Sequence, residues 1–318
     1  MKEIITVTGK INPDELGFCQ AHEHVAMRRG KFTEFNSDLC IDDFEKSLRE
    51  VNNYRLAGGG AFIEAQPTGC GRDVAWLRDI SRQTGVKIIA STGFHKLSFY
   101  PSYHWIWTAS EKTLKEIFLR ELSEGMCTDG DHYALPEAYL KVKAGIIKTA
   151  YDSEQLTPIY QKLFRAAAYA SRKADRIIMI HVENGTDPTV LQDFLMNIGV
   201  PARNLMFCHM DRACLNQDMH RKILINGSYL EYDTIGRFKY HSDQEEINLI
   251  RQRISEGFED YILYSLDTTR ARLKEYDSKA VGLTYILKKF NGELQESGIS
   301  FDQIHKFSHD NVVNLLMG

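Results

Sequence analysis

Residues 17–24 read GFCQAHEH, an apolar, strand-length run that ends in His22-Glu23-His24. Seven runs of the same kind follow: GAFIEAQ at 60–66, VKIIAST at 86–92, KAGIIKT at 143–149, RIIMIH at 176–181, NLMFCH at 204–209, GSYLEYD at 227–233 and YILYSLD at 261–267. Most are rich in β-branched or aromatic residues, as strands buried on both faces are. Their starts recur every 35 residues or so, roughly the length of one strand, one helix and two loops.

The segments between them carry helical signals. Thr157 can cap and Pro158 suits a first turn, after which Ile159, Leu163, Ala167 and Ala170 recur on one face. The stretches 43–57, 109–125, 243–257 and 278–297 behave alike. Eight strand–helix alternations predict an α/β fold, a (β/α)8 TIM barrel rather than a doubly wound sheet. No composition shift divides the chain, so 1–318 is read as a single domain, with 1–16 as an N-terminal hairpin or lid over the barrel's amino end. The aromatic loop FHKLSFYPSYHWIWTAS at 94–110 is read either as a substrate lid or as a homodimer contact.

Composition narrows the function. The chain has 318 residues, 43% hydrophobic and 26% charged, with a net charge of −4. That balance argues against a nucleic-acid partner, which would need a basic excess. No apolar run approaches the ~20 residues that span a bilayer, and the amino terminus lacks a secretory signal pattern. Six cysteines (Cys19, Cys40, Cys70, Cys127, Cys208 and Cys214) follow no disulfide or zinc-knuckle spacing. A cytoplasmic protein with free thiols is the expectation.

The chemistry lies in what ends the strands. The first run ends in His22 and His24, the fourth in Lys148, the fifth in His181, the sixth in His209 and the eighth in Asp267. In a barrel these carboxyl ends converge on one face. Residues two apart on a strand point the same way, so His22 and His24 face the axis while Glu23 points outward. Imidazole and carboxylate suit zinc, with manganese, cobalt and iron as alternatives. An unmodified Lys148 ammonium would repel such a cation. Carboxylated by carbon dioxide to N6-carboxylysine, Lys148 becomes an anion able to bridge two metals.

LGFCQAHEH at 16–24, the strand ends Lys148, His181 and His209, CHMDR at 208–212 and SLDTTR at 265–270 resemble the phosphotriesterase family of the amidohydrolase superfamily. HMDR, DTIGRFKY at 233–240 and DTTR are most similar to its phospho-furanose lactonase subgroup, whose members open phosphorylated five-membered sugar lactones. The resemblance implies that His22, His24 and Asp267 hold a buried divalent ion and His181 and His209 a more exposed one. Carboxylated Lys148 and a hydroxide would bridge the two, and Asp267 would be the catalytic proton shuttle. Cys19-Gln20 and Cys208 depart from the usual pattern. Strand alternation is expected to turn Cys208 away from His209.

A second cluster points to an anionic substrate. Arg212 follows the sixth strand, Arg237, Lys239 and Tyr240 the seventh, and Arg270 the eighth. Guanidinium groups match phosphate oxygens in pairs, and these barrels commonly bind phosphate after strands seven and eight. The expected function is a metallohydrolase opening a phosphorylated furanose lactone. The alternatives are a phosphotriesterase, carboxylesterase or acyl-homoserine lactonase using the same metals, and a non-catalytic metal-binding barrel. Ser265 and Ser308 carry no nucleophile signature, and no Gly-rich phosphate loop is present. His95, His104, His132, His220, His241, His305 and His309 are read as surface residues, with His95 and Lys96 placed where they could touch substrate.

Overall fold

The apolar runs become the eight strands of one parallel sheet in the computed structural model, which describes residues 3–318. They are β1 (Phe18–Glu23), β2 (Gly59–Glu64), β3 (Lys87–Gly93), β4 (Ile146–Tyr151), β5 (Ile178–Val182), β6 (Leu205–Cys208), β7 (Tyr229–Tyr232) and β8 (Ile262–Tyr264). Each pairs in parallel with its sequence neighbours. Beyond β8 the chain returns to β1: Asp267 N–H donates to the His22 carbonyl at 3.1 Å. The result is the expected (β/α)8 barrel.

Helices α1 (Phe44–Leu56), α2 (Val74–Thr84), α3 (Glu111–Ser123), α4 (Pro158–Ala174), α5 (Pro188–Asn197), α6 (Gln217–Ile225) and α7 (Asp243–Ser255) surround it. The side chains of Asp43, Asp73, Ser110, Asp187, Asn216 and Ser242 each accept a first-turn N–H, satisfying donors that a helix start leaves unpaired. In α4, Leu163, Ala167 and Ala170 are buried as the spacing predicts. None of the described helices is long and apolar enough to cross a membrane.

The core has two layers. Phe62, Ile88, Ile147, Ile180, Phe207 and Leu230 fill the space between sheet and helices. Ala21, Ile63, Ile89, Met179, Met206 and Leu263 fill the barrel interior. Ile4 and Ile11, from the hairpin Ile4–Thr6/Gly9–Ile11, join this inner cluster with Val312, Leu315 and Leu316 of the last helix. Apolar side chains thus plug the amino end, and the buried polar groups are left at the opposite one.

Two backbone features set those polar groups. In β1 the pairing with β2 slips between Gln20 and Glu23, adding one residue to β1. Such a bulge re-aims side chains: the inward face passes from Cys19 and Ala21 to His22 and His24. At the end of β3, Gly93 has φ +105°, and a Cβ there would lie 1.9 Å from the carbonyl oxygen of Lys148. Only glycine permits that approach. Gly93→Ala should therefore displace Lys148, lower stability to urea by at least about 2 kcal/mol and reduce bound metal together. An unchanged unfolding midpoint and metal content would contradict this packing.

Candidate metal centre

Strand geometry gathers His22, His24, Lys148, His181, His209 and Asp267 in the mouth of the barrel. All six are at most 9% exposed. Lys148 Nζ lies 3.3 Å from His22 Nε2. Asp267 Oδ1 is 3.7 Å from Nε2 of both His22 and His24. His209 Nε2 faces His181 Nδ1 at 2.7 Å.

Carboxylates behind the rings decide which nitrogen each ring offers. His24 Nδ1–H donates to Glu64 Oε1 at 3.0 Å and His209 Nδ1–H to Asp233 Oδ1 at 2.8 Å. His22 Nδ1 lies 3.2 Å from both Glu231 and Asp233. His181 donates from Nε2 to Glu183 Oε2 at 3.2 Å. A carboxylate only accepts, so in the neutral form of each ring the opposite nitrogen carries a lone pair. This carboxylate–imidazole pairing is the usual support of a metal-bound histidine.

The donor set fits a pair of divalent cations. Bare lone pairs of His181 and His209 meeting at 2.7 Å repel unless a cation or proton relieves them. The spacings of 2.7–3.7 Å match ligands at ordinary zinc-to-nitrogen and zinc-to-oxygen distances of about 2.0–2.2 Å. Glu64, Glu231, Asp233 and Asp267 are buried here as well, an anionic excess over Lys148 and Arg237 that also calls for cations. Among the described residues, the hydrogen-bond contacts of Lys148 Nζ, on a side chain that is buried, are a ring nitrogen and the Met179 sulfur. A buried ammonium with such partners is costly, whereas a carbamate bound to cations is not.

Electrostatics sort the ligands. Burial lowers His181 to about 4 and His209 well below the usual imidazole value. Burial and the Lys148 charge pull His22 down, yet Cys208, Glu231 and Asp233 outweigh them and leave His22 above normal. Burial would raise Asp267, but Arg237, whose Nη1 is 3.1 Å from Oδ2, and the imidazoles hold it well below the usual carboxylate range. Glu23 points out of the site into the barrel wall, as expected. It accepts N–H bonds from Leu266 and Thr268 at 2.9 and 3.2 Å, tying the Asp267 segment to β1.

Two expectations are corrected. Cys208 is not turned away: it faces inward, and its sulfur belongs to a tight group with His22, Glu231 and Asp233. β6 ends at Cys208, and His209 takes a left-handed φ of 61°, which swings its ring back to the same side. Asp267 does likewise at φ 48°. Nor are all the remaining histidines at the surface. His95, His104 and His220 are buried. His104 is satisfied by the Gly130 carbonyl, His220 by the Cys214 carbonyl and the Tyr232 hydroxyl. His132 and His305 are exposed. Reading strand ends for ligands missed Glu64 and Glu231, although a glutamate inside each apolar run was the available signal.

Above the centre lies a cavity of about 300 Å³, walled partly by His95, Lys96, Phe99, Arg212, Arg237 and Lys239. Tyr240 also lines it, with the Arg212 and Lys239 cations 5.3 and 4.7 Å from its ring centroid. Lys96 pairs with Glu183 at 2.6 Å. Arg270 stands apart: it reaches Asp42 at 3.0 Å on the outer side of the rim.

This architecture has many counterparts. The chain is 26% identical to a phospho-furanose lactonase of Mycoplasmopsis synoviae, covering 94% of this chain and 87% of that one. It is equally 26% identical to an N-acetyltaurine hydrolase of Xenopus tropicalis, covering 97% and 96%. A crystal structure of a lactonase from Listeria monocytogenes superposes with a TM-score of 0.88 at 29% identity, covering 99% of this chain and 98% of that one. The sequence profile of the phosphotriesterase family matches residues 2–316. With the fold, the strand-end cluster and this full-length match in agreement, the chain belongs to the phosphotriesterase family.

Proposed function

We propose that this protein is a cytoplasmic metal-dependent hydrolase that opens a phosphorylated furanose lactone. The observation that carries this reading is the juxtaposition of an anionic, imidazole-lined metal centre with a cationic rim in one cavity. Two divalent ions, zinc or its neighbours, held by His22, His24, His181, His209, Asp267 and carboxylated Lys148 would supply Lewis acidity and hydroxide at neutral pH. The lactonases among its relatives support the same chemistry.

The protein's own groups divide the remaining work. Arg237 keeps Asp267 ionised, so the carboxylate can take a proton during attack and pass it to the departing alkoxide. The backbone strain at Asp267 and His209 is held by Glu23 and Asp233, which leaves both side chains aimed before substrate arrives. Arg212, Arg237, Lys239 and Tyr240 line the cavity together and would supply the donors to a phosphate. Arg270, tied to Asp42 outside this cavity, is left out of the set.

Lys148→Ala should lose metal and activity together, and a short carboxylic acid or bicarbonate should partly restore both. Full metal content and turnover in that variant, with nothing added, would remove the carbamate from the scheme. Metal uptake should also depend on pH. Imidazole and lysine ligands bind cations only in their deprotonated forms, so affinity should fall as pH drops while binding releases protons. A dissociation constant that stays flat from about pH 8 to about pH 5 would contradict this.

The rim is tested by substrate choice. Each charge-assisted contact to phosphate is worth ~1.5–3 kcal/mol, so Lys239→Met should cost roughly 10- to 150-fold in kcat/KM. The loss should be confined to phosphorylated lactones and leave metal content unchanged. Equal hydrolysis of phosphorylated and plain lactones by the unaltered protein would eliminate the phosphate.

A further inference from the structure

His95 follows β3 and is 7% exposed, yet it lines the cavity over the metal centre. Its ring is held on three sides. It stacks on Phe99 with centroids 4.4 Å apart and an interplanar angle of 21°. It abuts His181 at 5.1 Å. Its backbone N–H donates to the Tyr100 hydroxyl at 2.8 Å, and that hydroxyl donates to the Thr68 carbonyl. Its Nδ1 accepts the backbone N–H of Lys96 at 2.7 Å.

That last bond settles the tautomer. A ring nitrogen that accepts cannot carry hydrogen, so a neutral His95 has its proton on Nε2. Among the described residues Nε2 has no protein partner. Lys96 reinforces the arrangement, since its ammonium is tied to Glu183, the residue that orients His181. The ring is therefore a preorganised donor without an acceptor, on the His181 side of the cavity.

We propose that His95 is a further catalytic residue, donating an Nε2–H hydrogen bond to the carbonyl oxygen of the bound ester or lactone as negative charge builds on it. When hydroxide adds to the carbonyl carbon, the π pair moves to oxygen. The imidazole stabilises that oxygen without giving up its proton. A fixed donor aimed at developing charge needs no reorganisation at the moment of reaction. The role rests on the acyl-hydrolase reading above, but it does not depend on a phosphate in the substrate.

The test compares His95→Phe, which keeps the stacking but removes the donor, with His95→Gln, whose amide N–H can reach the Nε2 position. Rates are measured on a pentono-1,4-lactone 5-phosphate, its unphosphorylated parent and 4-nitrophenyl acetate, with metal content assayed in parallel. His95→Phe should lower kcat roughly 10- to 100-fold on every substrate that the unaltered protein cleaves, with KM and metal content little changed. His95→Gln should recover most of that loss. Nitrogen-15 NMR of the metal-loaded protein should show a neutral His95 protonated on Nε2. A kcat in His95→Phe equal to that of the unaltered protein, or a ring protonated on Nδ1, would overturn the proposal. If only 4-nitrophenyl acetate is cleaved, the lactone reading fails while the variant comparison and the tautomer still decide the role of His95.

Discussion

Burial of charge in the barrel mouth is the constraint on which the rest depends. A lysine, four imidazoles and several carboxylates are withdrawn from water within a few ångströms of one another. Water no longer screens them, so each must find a partner of opposite charge or lose its own. The carboxylates Glu64, Glu231 and Asp233 fix the imidazoles, and the imidazoles turn their lone pairs inward. What remains is a cluster of donors facing each other that a cation or a proton must satisfy. The apolar plug at the far end makes this possible, because it supplies the stability that such a cluster consumes.

The backbone is shaped to the same end. A bulge in β1, a glycine pressed against Lys148 and left-handed residues at His209 and Asp267 all depart from regular strand geometry. Each departure sits beside a ligand. Regular strands would have sent His22 and His209 to the opposite side of the wall from where they are found. Strained residues of this kind persist only where neighbours over-determine them, and here Glu23 and Asp233 do so through their bonds to backbone N–H groups.

The barrel was legible because its strands are buried on both faces and stand out as apolar runs at even spacing. The convergence of His22, His24, Lys148, His181, His209 and Asp267 was legible because polar residues ending such runs have one place to go. Cys208 was misread because strand alternation was carried one residue past the end of β6. His104 and His220 were misread because loop and helix residues can be buried once backbone carbonyls satisfy them, which spacing does not reveal. Arg270 shows a related difficulty. Its position after β8 is that of a rim residue, but its direction is set by Asp42, a residue distant in sequence.

Cation at the rim and anion at the centre give the cavity a polarity that a neutral, apolar substrate would not exploit. Arg237 links the two through its bond to Asp267. All of this rests on Lys148 being an anion when metal is present. Carbon-13 NMR of the metal-loaded protein, equilibrated with carbon-13 bicarbonate, reads that charge most directly. A carbamate carbon resonance that disappears when the metal is chelated is the expected result. A fully metal-loaded, active protein with no such resonance would contradict it.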